Sequence, residues 1–201
     1  MNRLAIPLVL LIFLEAGCAS SPSKNDQNFG DNPIPSGEYQ ASFDKWTNSE
    51  KAYRGGAQAL QVTATLQSRD VIEQHVFIDA KRYHWSSDQY REARQKELYK
   101  NESATSFFLV LYTEKDENNN IDKPDSVWNI FLDVAGKRIA PSSIKRIYEN
   151  KTILFDKYPY INVWSKNYTV EFPIPTSETT SATAVLTVAG ALGAVHLDFP
   201  K

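Results

Sequence analysis

Residues 60–66 read Leu-Gln-Val-Thr-Ala-Thr-Leu, and apolar and polar side chains alternate along this stretch. Successive side chains of a β-strand point to opposite faces, so this alternation is typical of a strand with one buried face. The pattern therefore predicts a strand near residues 58–67, the first strand of the chain.

Other segments carry the same kind of pattern. Ser106–Thr113 is apolar on both faces, which predicts a central strand. Further predicted strands are Trp128–Val134, Ile144–Tyr148, Tyr168–Phe172 and a terminal hairpin of Ala184–Ala189 with Ala194–Phe199, across a turn containing Gly190 and Gly193.

The pattern changes to helix between the first two predicted strands. Val71, Ile72, His75 and Val76 recur at three- and four-residue spacing, and a second helix is predicted from an N-cap at Ser87 to Asn101. Together these patterns predict a mainly β fold: an antiparallel two-layer β-sandwich, immunoglobulin-like, with a helical insertion of about residues 69–101 after the first strand.

Composition limits the classes of function. The net charge is −2 and the Lys and Arg residues are scattered, which argues against a nucleic-acid partner. Four Trp, ten Tyr and ten Phe suit a β-rich fold. Residues 37–201 are predicted to form one domain, because roughly 165 residues bury enough surface for a single core.

The N-terminus has the features of a bacterial export leader. Arg3 gives a positive start, residues 4–14 are apolar, and Ala16 and Gly17 precede Cys18. The apolar run is about half of the roughly 20 residues that a membrane-spanning helix needs. We therefore predict a signal peptide over residues 1–17.

Leu14-Glu15-Ala16-Gly17-Cys18 resembles the lipobox of bacterial lipoproteins, with the leucine one position earlier than is usual. The resemblance implies cleavage before Cys18 and a thioether-linked diacylglycerol on it, which would anchor the protein to a membrane. Ala19 implies the outer membrane, facing the periplasm, in a Gram-negative host. Residues 18–36 are predicted to be a flexible tether. The alternative is ordinary cleavage that yields a soluble secreted protein.

The domain itself is similar to small bacterial lipoproteins with an uncharacterised β-sandwich. The similar parts are the Trp128–Leu132 strand, the Tyr168–Phe172 strand and the hairpin with Gly190. Such families generally have no assigned activity, so the resemblance implies no catalytic residue.

One loop is a candidate metal site. Asp116, Asn118, Asn120 and Asp122 place oxygen ligands at alternating positions, as a calcium loop does, and Asp125 follows. An EF-hand is excluded, since Ile121 and Val127 occupy its glycine and acidic positions. The alternative is a solvated loop, because Asp and Asn favour turns. No cofactor other than this calcium ion is suggested.

Catalytic patterns are weak. His75, His84 and His196 are dispersed, and no nucleophile motif accompanies them. His75 and Asp79 stand one helical turn apart and could share an ion or a surface hydrogen bond. The sequence predicts no enzyme.

The four tryptophans could form a carbohydrate platform. Trp128 lies in strand phase with Ile130 and is predicted to be buried, whereas Trp85 and Trp164 are better candidates for exposure. We therefore expect a lipid-anchored, non-enzymatic envelope protein with a structural or protein-interaction role and an envelope protein as partner. The alternative is a lipoprotein that binds calcium or a glycan through the Asp116–Asp125 loop or the exposed tryptophans.

Overall fold

The structure is a computed structural model and describes residues 36–199. Helices and strands alternate along most of this part. Their order is α1 (Ser36–Lys45), β1 (Thr47–Arg54), β2 (Ala57–Leu66), α2 (Arg69–Arg82), α3 (Ser87–Asn101), β3 (Thr105–Thr113), β4 (Trp128–Val134), β5 (Lys137–Ile139), β6 (Ser143–Ile147), α4 (Lys151–Phe155), β7 (Lys166–Phe172), α5 (Thr176–Ser181), β8 (Ala184–Gly190) and β9 (Gly193–Phe199).

The strands form two antiparallel sheets, so the fold is mainly β with few helices. One sheet has five strands in the order β1-β2-β3-β7-β6, and the other has four in the order β5-β4-β8-β9. Each neighbouring pair is antiparallel. The predicted central position of the Ser106–Thr113 segment is confirmed, because β3 is the third of five strands.

One apolar cluster contains inward side chains of both sheets. Leu60, Val62 and Leu66 of β2 are fully buried in it together with Leu132 of β4 and Leu186 of β8. Full burial of a leucine side chain contributes roughly 1.5–3 kcal/mol relative to exposure. The apolar residues of the alternating stretch 60–66 therefore lie on the face of β2 that packs in this cluster.

The outer face of β2 is buried as well, contrary to the one-sided burial that its alternation predicted. Thr65 is 0% exposed, and its hydroxyl lies 2.6 Å from the Tyr160 hydroxyl. Thr63 is also buried and lies 2.7 Å from Ser49 of β1. Polar side chains are tolerated here because each hydroxyl has a partner.

The helical insertion lies at residues 69–101, as predicted, but the strand before it is the second of the chain and not the first. Strand β1 precedes β2 in the chain and pairs with it from Thr47 to Arg54. None of the residues of β1 is buried. An exposed strand at the edge of a sheet carries no apolar alternation, which is why the sequence pattern did not reveal it.

The helices of the insertion pack on the outer face of the five-stranded sheet and on each other. Val71 of α2 belongs to an outer cluster with Phe108 and Val110 of β3. A third cluster joins α2 and α3. The first turn of α3 is capped by Ser86, whose hydroxyl accepts from the Gln89 amide at 3.3 Å, so the N-cap lies one residue before the predicted Ser87.

The two sheets meet along one side of the molecule, at β1 and β9. The Asn48 side-chain amide donates to the Asp198 carbonyl at 2.9 Å, and the Glu50 carboxylate accepts from the His196 backbone amide. On the other side, β6 and β5 are the outermost strands of their sheets. One pair of sheet edges is therefore bridged by side chains.

Candidate functional site

A groove lies between the helices and the outer face of the five-stranded sheet. This helix groove has a volume of about 500 Å³, and its walls include residues of α2, α3, α4, β3, β6 and β7. A volume of this size falls in the range of roughly 300–1,000 Å³ that ligand pockets occupy.

The floor of the helix groove is made by rows of facing residues on three strands. Phe108 of β3 faces Thr169 of β7, which in turn faces Lys145 of β6. The next row pairs Ser106 with Glu171. Residues opposite each other in a ladder lie side by side on one face, so the floor is mainly polar, with one aromatic ring.

The helix wall of the groove is apolar in part, beside polar residues of α2 and α3. Ile72 and Val76 stand four residues apart on α2, so they lie on one face of the helix, and Leu154 of α4 lines the same groove. Ser68 caps α2 by accepting from the Val71 amide at 3.4 Å. The groove therefore presents an apolar patch opposite a polar floor.

A buried histidine network also lines the groove. His75 Nε2 lies 3.3 Å from the Tyr39 hydroxyl, and Nδ1 lies 3.4 Å from the Tyr158 hydroxyl, which donates to Gln67 Oε1 at 3.1 Å. This arrangement is satisfied by a neutral ring that carries its proton on Nδ1. The Tyr158 ring stacks on Phe108, with centroids 3.5 Å apart.

Burial decides the protonation of this network. Burial, and to a smaller extent the charge of the Lys157 ammonium group, lowers the pKa of His75 to about 3. Burial also raises the pKa of Tyr39 to about 12 and that of Tyr158 well above its usual value. At neutral pH these three groups are uncharged and act as hydrogen-bonding groups.

The rim of the groove is charged. Lys157 Nζ lies 2.6 Å from Asp79 Oδ2, and this carboxylate also binds Arg82 at 3.4 Å. The predicted pairing of His75 with Asp79 is absent from the described residues, because Asp79 turns to these two cations. Side chains of both signs, Lys145, Glu149 and Glu171, also line the groove, and no ion pair forms at any of them within residues 36–199.

A second cavity of about 380 Å³ lies where β6 and β7 meet the loop after α4. Three large apolar side chains at its edge are strongly exposed: Tyr148 (76%), Val163 (74%) and Trp164 (76%). We name this set the aromatic rim. The Arg146 guanidinium lies 4.9 Å from the centre of the Tyr148 ring.

The loop that carries the aromatic rim is held by polar contacts. Asn162 Oδ1 accepts from the backbone amides of Trp164 and Ser165 at 2.9 and 3.0 Å. Lys151 Nζ donates to the carbonyls of Asn162 and Ser165 at 2.7 and 3.4 Å. These contacts fix the backbone on both sides of the two exposed residues.

The polar wall of this cavity contains a buried amide. Asn167 of β7 is 4% exposed, and its Oδ1 has no hydrogen-bond partner within the described part of the chain. A buried carbonyl without a partner costs roughly 1–3 kcal/mol, so such groups are uncommon.

The structure gives individual residues of the predicted calcium loop partners of their own. Asp116 is exposed and binds Lys166 Nζ at 2.8 Å, while Asp122 Oδ2 lies 3.7 Å from Lys123. The Asn118 carbonyl accepts from the Trp128 indole at 2.7 Å, and Asn120 is half-buried. Among residues 36–199, no three His, Cys, Asp or Glu side chains converge as metal ligands.

The tryptophans follow the sequence prediction in part. Trp128 is buried and Trp164 is exposed, as predicted. Trp85 is only half-buried, because it packs against the cluster shared by α2 and α3, and Trp46 is buried in the main cluster. The predicted lipidation site, Cys18, and the signal peptide lie outside the described residues.

Sequence reasoning did not find the helix groove. Its key contacts join residues far apart in the chain, such as His75 with Tyr158 and Gln67 with Tyr158, at separations of 83 and 91 residues. The only local feature was the helical spacing that placed His75 with apolar neighbours. No pattern in the sequence connects that helix with residues 145–171.

Comparisons with known proteins give one structural likeness. No protein-family profile matches the chain, and no curated protein matches it. A solved structure described as a novel protein of unknown function from Burkholderia pseudomallei is similar, with a TM-score of 0.42, 8% identity and coverage of 81% of each chain. Within residues 36–199, no helix has the length and apolarity needed to cross a membrane.

Proposed function

We propose that the protein is a lipid-anchored, non-enzymatic envelope protein that binds an extended segment of another envelope protein in the helix groove. The observation that carries this proposal is the groove itself, in which the apolar side chains of Ile72 and Val76 lie opposite a hydrogen-bonding floor. Peptides have apolar side chains and a polar backbone, so a groove with one wall of each kind suits them.

The charges of the groove favour a peptide over an apolar ligand. Lys145, Glu149 and Glu171 are of both signs and form no ion pair with one another or with other described residues. A partner segment with complementary charges would satisfy them. Charges of this kind select a partner and its register more than they add affinity.

Site-specific photo-crosslinking in intact cells tests this proposal. A photoreactive amino acid replaces Lys145 in the groove or, as a matched control, exposed Lys137 of β5 on the other sheet. We expect a discrete protein adduct from position 145 and not from position 137. Adding Glu171→Lys should reduce the adduct, because it reverses one charge of the floor.

Two results would count against the proposal. If both positions give the same adducts, contact at position 145 reflects crowding and not a specific groove. If position 145 gives no protein adduct in cells where the protein is abundant, the groove has no protein partner there. Mass spectrometry of the adducts identifies which case holds.

The anchor is a separate part of the proposal. It is supported by the leader and by the small residues before Cys18. An anchor confines the domain near its partner and raises the effective concentration, so a weak contact becomes sufficient. Cys18→Ser should release the protein from membranes, and mass spectrometry of the wild type should find acyl chains on Cys18. A free thiol on a soluble mature protein would contradict the anchor.

A non-enzymatic role is supported by the state of His75. Both ring nitrogens face tyrosine hydroxyls, and the low pKa makes the ring a weak proton acceptor. A general base works best when its pKa lies near the operating pH. The geometry is that of a structural histidine.

For the fold, we propose a two-layer β-sandwich, which is supported by the cluster that contains residues of both sheets. Its immunoglobulin-like classification stays a prediction. Some strands that are consecutive in sequence are also neighbours in a sheet: β1, β2 and β3 in one sheet, and β8 and β9 in the other.

A further inference from the structure

We propose that the aromatic rim and the cavity beside it form a saccharide-binding site, in which a pyranose ring of a polysaccharide chain stacks on Trp164. This cavity shares Ile147 and Glu149 with the helix groove, but the two residues that its test varies, Tyr148 and Trp164, line this cavity and not the groove. The exposure of the rim, the rigidity of the loop with Trp164 and the polar groups around the cavity support the proposal.

The exposure of the rim needs an explanation. Val163 and Trp164 are adjacent in sequence, and about three quarters of each side chain is in water. Tyr148, equally exposed, lines the same cavity. Apolar side chains exposed singly are common on protein surfaces, but a group of them around one cavity is typical of a contact site.

The loop after α4 holds Val163 and Trp164 in a fixed position before any ligand binds. Asn162 accepts from two backbone amides, and Lys151 binds the carbonyls on either side of Val163 and Trp164. Ser165, which closes this turn, is buried. A site that is ordered in advance loses less conformational entropy on binding, which raises affinity.

The rim gives the surface that a sugar ring needs. The face of an aromatic ring is electron-rich, and the C–H groups on one face of a pyranose are weakly positive, so the two stack. Trp164 provides the larger ring. Tyr148, covered on one face by Arg146, provides a second.

Polar side chains around the same cavity match the hydroxyl groups of a sugar. Seven of its eleven lining residues are polar or charged, and Arg146 and Glu149 lie at its edge. Asn167 adds a buried amide whose Oδ1 lacks a partner. A rotation of this amide towards the cavity would let a sugar hydroxyl donate to Oδ1, which removes the cost of the unpaired carbonyl.

These polar groups also favour a sugar over a lipid bilayer. Insertion of Val163 and Trp164 into acyl chains would leave the buried Asn167 Oδ1 without a partner, because acyl chains donate no hydrogen bond. A sugar, in contrast, forms hydrogen bonds with carboxylates and amides at the rim of such a cavity. Flotation of the protein with anionic vesicles tests the bilayer alternative directly.

The experiment is a calorimetric titration of the full-length protein in a detergent without a sugar headgroup. The probes are tetramers of β-1,4-linked N-acetylglucosamine, β-1,4-linked glucose and α-1,4-linked glucose. We expect saturable binding of at least one probe by the wild type. Trp164→Ala should weaken it by about tenfold or more, because the platform is lost.

Matched variants separate stacking from general effects. Trp164→Phe keeps an aromatic face and should retain most of the affinity. Tyr148→Ala should weaken binding, whereas Tyr99→Ala should not, since Tyr99 is similarly exposed (70%) but lies on α3 away from this cavity. Lys145→Glu, which changes the helix groove alone, should leave sugar binding unchanged.

Three results would overturn the proposal. The first is no binding of any probe by the wild type, and the second is equal binding by wild type and Trp164→Ala. The third is flotation with anionic vesicles that depends on Trp164 while no sugar binds, which would assign the rim to a bilayer. None of these results bears on crosslinking at position 145, so the two proposals fail independently.

Discussion

His75 shows how one residue can make stability depend on pH. It is 6% exposed and its ring lies between Tyr39 and Tyr158. Because burial lowers its pKa from 6.5 to about 3, the unfolded chain binds a proton in the interval where the folded protein does not. Stability therefore rises with pH across that interval.

The first prediction concerns this pH dependence. The stabilising contribution is fully present above pH 6.5 and is lost as the pH falls towards 3. Between pH 7 and pH 5, His75 should cause a decrease of about 2 kcal/mol in the free energy of unfolding. Urea titrations at both pH values should show this decrease in the wild type and a smaller one in His75→Gln.

The control for this prediction is His196→Gln, which removes an exposed histidine. It should keep the pH dependence of the wild type. If His75→Gln shows the same decrease as the wild type between pH 7 and pH 5, the buried ring is not the group that titrates.

Gly190 is the second residue with a testable role. A Cβ at this position would lie 2.0 Å from the Val127 carbonyl oxygen and 2.8 Å from the Trp128 ring. Gly190→Ala should therefore reduce the free energy of unfolding by about 1–3 kcal/mol, since the backbone has to move. Gly37→Ala is the control, because no atom lies within 4 Å of its added Cβ. A Gly190→Ala protein as stable as Gly37→Ala would contradict this prediction.

At the scale of elements, strands with a buried face were predictable and exposed elements were not. Seven predicted strands correspond to β2, β3, β4, β6, β7, β8 and β9, with bounds that differ by a few residues at most. The missed strands, β1 and β5, contain no buried residue. Edge strand β6 has no fully buried residue either, but Ile144 and Ile147 pack against apolar clusters and gave it an apolar pattern that β1 lacks.

The candidate site was less predictable than the fold. The exposure of Trp164 was predicted. The contacts by which Asn162 and Lys151 hold its loop were not, because they require α4 to lie beside the loop. The helix groove needs α2 to cover strands that follow it by about 70 residues. Sequence periodicity gives the face that each element buries but not which other element covers it.

The third prediction concerns the start of α3. Ser86 and Gln89 form a capping box, in which each side chain accepts from the other residue's backbone amide. Ser86→Ala should lower the free energy of unfolding by about 1 kcal/mol and speed amide exchange in the first turn of α3. Ser177→Ala, on an exposed serine of α5, serves as the control. Unchanged exchange at residues 87–90 would contradict a capping role.

At the scale of the whole molecule, one cluster contains residues of both sheets and the helices add two smaller clusters outside it. Trp46 and Trp128 lie in the cluster shared by the sheets, so their fluorescence reports on it. We expect the two sheets to unfold together, because neither has another partner for its inward face.

The fourth prediction tests this cooperation. Leu186 lies on β8, faces Leu132 of β4 and Leu197 of β9, and is fully buried. Leu186→Ala should lower the free energy of unfolding by about 2–5 kcal/mol, through lost burial and the cavity that remains. Urea transitions followed by tryptophan fluorescence and by far-ultraviolet circular dichroism should coincide. Separate transitions would show that the sheets unfold independently, and Val163→Ala, which is exposed, should change stability little.

The bridge between β1 and β9 has a consequence for self-association. The free backbone groups of an edge strand can pair with another copy of the chain, and side chains of Asn48 and Glu50 bridge the edges of β1 and β9. The outermost strands β5 and β6 are the edges that remain for a neighbour. They are only three and five residues long, so any sheet that two copies formed through them would be narrow and weakly held.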